Sequence, residues 1–128
     1  MLQSVDGRVH IAQVSLTVDD LDVATAFYRD TLGVPFLFRA PTLAIFECAG
    51  TRLLLGTPEG EAAAHHSSII YFRVADIEAS YTALREAGVP FDDTPHIVGR
   101  LGATEVWMTF FRDPSGNILA ITSEVPVG

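Results

Sequence analysis

The chain has 128 residues, 48% of them hydrophobic and 19% charged, and a formal net charge of -8. That length suits one domain with one core better than two independent ones, and no apolar run approaches the roughly 20 residues of a membrane-crossing helix. Eight thinly spread Lys and Arg against sixteen Asp and Glu argue against nucleic acid as a partner and suit a cationic ligand better, although an acidic surface also simply keeps a protein soluble. Met1 to His10 lacks the basic-then-apolar pattern of a leader. The lone Cys48 permits no intrachain disulfide and reads as a small buried hydrophobe, so a cytoplasmic protein is expected.

Along the chain, residues 13 to 18 (Gln-Val-Ser-Leu-Thr-Val) alternate polar and apolar side chains as a half-buried strand does. Asp20 then offers a helix N-cap ahead of an apolar stripe of Leu21, Ala24, Phe27 or Tyr28, and Leu32. Gly33-Val34-Pro35-Phe36 ends that helix, since Gly accepts a left-handed conformation and Pro prevents continuation. Three short strands follow at Phe36–Arg39, Leu43–Cys48 and Arg52–Leu55, and residues 57–67, rich in Pro, Gly, Glu and Ala, read as a linker. The pattern then repeats. Residues 69 to 74 form a strand, Asp76 caps a helix with Ile77, Tyr81 and Leu84 on its stripe, and the glycine tetrapeptide returns 55 positions later as Gly88-Val89-Pro90-Phe91. Phe91 with His96–Val98, Thr104–Phe111 and Asn117–Thr122 complete the second set of strands.

Two of these segments resemble motifs of the vicinal-oxygen-chelate superfamily, which includes glyoxalases, bleomycin-resistance proteins and extradiol dioxygenases. Val18-Asp19-Asp20-Leu21 with Ala26-Phe27-Tyr28-Arg29-Asp30-Thr31-Leu32-Gly33 is similar to its first-helix signature, and Phe111-Arg112-Asp113-Pro114-Ser115-Gly116-Asn117 to its last-hairpin signature. The resemblance spans residues 9 to 124. It implies one α+β domain over 1–128, made of two βαβββ modules, 9–56 and 68–124. Their strands would form a curled, half-closed mixed sheet with helices outside and a small-molecule ligand in the cup, commonly in a homodimer. The motif side chains themselves are explained by helix packing and by turn geometry, so function has to be argued from the site.

In metal-using members the resemblance implies a His or Gln on the first strand of each module and a carboxylate on the last strand. Mapped by motif, these positions are Gln13, Ile69 and Ala120, with a fourth near Leu53–Leu55. Only Gln13 carries a donor, so no metal is expected, a divalent ion being the weaker alternative. His65 and His66 fall in the polar linker, His10 has no fixed direction, and His96 is placed to line the cup or to lie at the surface. By alternation Gln13, Ser15 and Thr17 share the cup face, as do Ile69, Tyr71 and Arg73; the register that the resemblance implies at Asp113-Pro114 adds Met108 and Phe110, leaving Glu105 and Trp107 on the other side.

No phosphate loop, nucleophile elbow or close Cys/His arrangement is present. Three readings stay open. The first is a metal-independent protein binding a small, partly hydrophobic molecule through Gln13, Ser15, Ile69, Tyr71, Arg73, His96, Met108, Phe110 and Ala120. The second is a lyase, isomerase or dioxygenase using a metal held by residues other than the mapped ones, or a His96/Glu105 acid–base pair. The third is a dimeric protein with a vestigial cup.

Overall fold

The computed structural model describes residues 6–9, 11–57 and 68–127. The chain divides into two compact units, Met1–Ser67 and Ser68–Gly128. His10, His65, His66 and all of the linker after Thr57 lie outside the described residues.

The first unit runs β1 (Gln13–Thr17), α1 (Leu21–Ala26) with a continuing π-helical turn (Phe27–Thr31), β2 (Phe36–Ala40), β3 (Leu43–Cys48) and β4 (Thr51–Gly56). Its sheet has the order β1-β4-β3-β2, with β1 parallel to β4 and the other pairs antiparallel. Asp20 starts the helix from extended backbone, its carboxylate accepting from the Val23 amide at 3.1 Å. The apolar parity of β1 does what the alternation predicts. Leu16 and Val18 are buried with Leu53, Leu55, Ala44 and Phe46 against the helix residues Leu21, Ala24 and Tyr28, and the Tyr28 and Phe46 rings pack 5.9 Å apart.

The second unit repeats the plan: β5 (Ile70–Arg73), α2 (Ile77–Glu86), β6 (His96–Leu101), β7 (Thr104–Arg112) and β8 (Ile118–Pro126), in the order β5-β8-β7-β6 with β5 parallel to β8. Asp76 caps α2 by accepting from the Ala79 amide at 3.1 Å. Phe111, Leu119 and Ile121 form the core with Ile77, and Phe91 bridges the rings of Tyr81 and Phe111 at 4.7 and 5.2 Å. The chain is therefore α+β, two βαβββ modules, each an open mixed sheet with one helix on one face.

Three local expectations change. The first helix is not uniformly α: the Leu32 amide donates to the Phe27 carbonyl five residues back, at 2.9 Å, because the turn has widened. The last strand continues to Pro126 instead of stopping at Thr122, since β7 pairs with it without a break from Arg112↔Ile118 to Thr104↔Pro126. The second strand of the second module starts at His96 and runs to Leu101 past the predicted turn at Gly99, a register shift between Ile97 and Gly99 absorbing the extra residue.

Candidate functional site

A residue directly opposite another across a strand pair shares its face, so the pairing register sorts the side chains of each sheet into a helix-covered set and an open set. In the first sheet, Gln13 lies opposite Arg52, which lies opposite Glu47. The next open row is Ser15, Leu54, Ile45 and Phe38. Gln13 and Ser15 are both exposed, on the side away from Leu16 and Val18. The partners Arg52, Leu54 and Phe38 were not legible beforehand, because which strand would lie beside β1 cannot be read from alternation.

The second sheet carries two adjoining open rows. One is Tyr71, Ala120 and Phe110; the other is Arg73, Thr122, Met108 and His96. Tyr71 and Phe110 meet edge to face with centroids 6.0 Å apart, and Ala120, between them in register, is fully buried. That apolar plate needs a small residue at its middle, which gives position 120 a packing reason for having no donor atom. Arg73 is held at the rim by Glu124 at 3.1 Å. Ile69 immediately precedes β5 and is 38% exposed.

His96 is held by the loop before β6. Its Nδ1 lies 2.8 Å from the Thr94 carbonyl, which can only accept, so Nδ1 carries the proton and Nε2 keeps a free lone pair in the neutral ring. Asp93 builds that loop: its Oδ1 accepts from the Thr109 hydroxyl at 2.6 Å and from the Phe110 amide at 2.9 Å, and its other oxygen lies 3.9 Å from His96 Nδ1. Asp93 was missed in the sequence, where it reads as one more polar residue of a turn.

Glu105 and His96 are not brought together. Glu105 has the parity of Trp107, Thr109 and Phe111, the face covered by α2, and it pairs with Arg100 at 3.3 Å. The pairing of acid and base proposed from sequence fails because the two side chains point to opposite sides of one sheet. Asp113, another residue given only a turn role, proves to be a buried hub. Its carboxylate accepts from the Ser115 and Asn117 amides and from Asn117 Nδ2 at 2.8 to 2.9 Å.

The residues at the mapped ligand positions do not fit a divalent ion. Gln13 offers one neutral oxygen, and Ile69, Ala120 and Leu54 have no donor atom, whereas such an ion requires several convergent N or O ligands. Among the described residues no group of three or more His, Cys, Asp or Glu side chains converges.

The profile of the glyoxalase/bleomycin resistance protein/dioxygenase superfamily matches residues 10–121. The Bacillus subtilis (strain 168) protein YurT is 35% identical over 130 residues, covering 89% of this chain and 98% of its own. A lactoylglutathione lyase from Agrobacterium tumefaciens has the same fold at a TM-score of 0.74 with 25% identity, over 91% of this chain and 94% of its own. A superfamily member from Sphaerobacter thermophilus gives 0.73 at 25% identity, over 91% of this chain and 98% of its own. With both helix caps, both glycine turns and both mixed sheets in the order described, the chain belongs to the glyoxalase/bleomycin resistance protein/dioxygenase superfamily.

Proposed function

We propose that the protein binds a small, partly hydrophobic molecule on the helix-free face of the second sheet, without a metal ion. The observation that carries this is the plate of Tyr71, Phe110 and Met108, flanked in register by Thr122, Arg73 and His96. An apolar floor with a few fixed polar groups is the composition of a small-molecule site. On the first sheet, taken by itself, Gln13 and Ser15 present an amide and a hydroxyl on the open face. A homodimer in the cytoplasm, with no nucleic-acid partner, completes the proposal; no helix among the described residues is long and apolar enough to cross a membrane.

One observation favours catalysis as a second reading: the lone pair on His96 Nε2, fixed by the Thr94 carbonyl, is what a general base requires. In that reading His96 accepts a proton from a bound acidic C–H or O–H, and Glu105 takes no part. The test is a ligand-observed NMR screen of small aromatic and carbonyl compounds, with metal analysis of the same protein after dialysis. Hits lost in Tyr71→Ala support the binding reading. A stoichiometric metal that disappears in Gln13→Ala overturns it and moves the enzyme reading ahead.

A further inference from the structure

The opposite face of the second sheet holds a separate cavity of about 320 Å³ beneath the first turn of α2. Its walls include Asp76, Glu78, Glu105, Trp107, Ser123 and Val125. Trp107 lies directly opposite Ser123, and Glu105 opposite Val125, so the four form one patch of β7 and β8 facing α2. The patch is not closed over by the helix, which covers the same face further along, at Thr109 and Phe111.

Charge and hydrogen bonding both point to an occupant. Asp76, Glu78 and Glu105 set three carboxylates at the rim, and Arg100, paired with Glu105 at 3.3 Å, compensates one. The helix N-terminus contributes about half a positive charge, so an excess of roughly one and a half negative charges remains. The carboxylate of Asp76 is spent on the Ala79 amide. Independently, Ser123 is 1% exposed and its hydroxyl has no hydrogen-bond partner among the described residues, although its side chain forms part of the wall. A buried hydroxyl left without a partner is costly, and a polar group entering the cavity would relieve it. The indole of Trp107 and the side chain of Val125 supply an apolar wall, and an aromatic face beside acids favours a cation over an anion.

We propose that this cavity is a second binding site, for an organic ammonium ion with a short aromatic or aliphatic body. The ammonium group meets Glu78 and Glu105, the body lies against Trp107 and Val125, and the hydroxyl of Ser123 gains a partner. The site shares no side chain with the open-face plate of Tyr71 and Phe110.

Trp107 is the one tryptophan of the chain, so its emission reports the site directly. Titration with 2-phenylethylammonium chloride is expected to give a saturable change. The neutral 2-phenylethanol should bind about tenfold more weakly, and 3-phenylpropanoate should give no saturable change. Glu78→Gln, at an exposed helix position, should weaken ammonium binding by about threefold to tenfold, and Ser123→Ala by a smaller factor without loss of folding. Val125→Phe, which fills the cavity, should abolish it, whereas Tyr71→Ala should leave it unchanged. Failure of open-face binding is thereby distinguishable from failure here. A linear response, equal responses to the amine and the alcohol, or a response that survives Val125→Phe in a protein with native circular dichroism would overturn the proposal.

Discussion

Two carboxylates, Asp93 half-buried and Asp113 buried, show how much one side chain can organise. Asp93 satisfies a fully buried hydroxyl and a strand amide at once, so Asp93→Ala leaves Thr109 Oγ1 and the Phe110 amide without that acceptor and should cost about 2 kcal/mol in a denaturant melt, with Asp93→Asn costing less. Asp113, 4% exposed and accepting three hydrogen bonds, should behave alike in Asp113→Ala. Neither role was legible, because an Asp in a turn looks the same whether its carboxylate faces water or three donors. Cys48 was legible. Burial, and then the neighbouring Glu47, raise its thiol pKa, so at pH 7.5 the thiolate is scarcer than on a free cysteine. Iodoacetamide should therefore modify Cys48 more slowly than it modifies glutathione, with the rate climbing only at higher pH, and Glu47→Gln should speed the reaction by about twofold to threefold.

At the level of helices and strands, the strongest signals were local and the failures came from register. The caps at Asp20 and Asp76 and the glycines at 33 and 88 were read correctly because each is a backbone requirement met within a few residues. Gly33 and Gly88 have φ of 77° and 90°, and a methyl group at either would meet nothing within 4 Å. The cost of Gly33→Ala and of Gly88→Ala is thus purely conformational, about 1 to 2 kcal/mol each, and should be equal within error in paired melts. A large difference between the two would mean that one helix end does more than turn the chain. Alternation correctly grouped Gln13 with Ser15, Tyr71 with Arg73, and Met108 with Phe110. It could not show that Tyr71 stands across Ala120 from Phe110, since that follows from the parallel pairing of β5 with β8. For the same reason the extent of β8 and the shift in β6 were invisible.

For the molecule as a whole, size sets the expectation. Each unit has about sixty residues, a length at which only about 60% of the unfolded surface is buried and stability is marginal. Each also leaves one sheet face bare of its own helix, with Phe38 and Tyr71 about half exposed. Fragments 1–67 and 68–128, expressed apart, should therefore show no cooperative thermal transition, while the full chain shows one; a sharp melt from either fragment would argue against the single-domain reading of 1–128. The proposed homodimer is checked by sedimentation at tens of micromolar, where a monomer mass would refute it.

The widened turn after α1 is where the two halves differ in length. From the cap Asp20 to the terminating Gly33 there are 13 positions, whereas from Asp76 to Gly88 there are 12. The surplus residue sits where the Leu32 amide reaches back five places to Phe27, so the π turn takes up one residue more than the second module has, within an otherwise repeated plan. A helix interior is usually the worst place to change length, because every following side chain rotates by about 100°. Here the change is swallowed within one turn, and cap, glycine and following strand keep their places. Deleting Arg29, an exposed member of that turn, should restore a regular helix and the 12-position spacing of the second module with little loss of stability, whereas deleting Ser80 from the regular α2 should be severely destabilising.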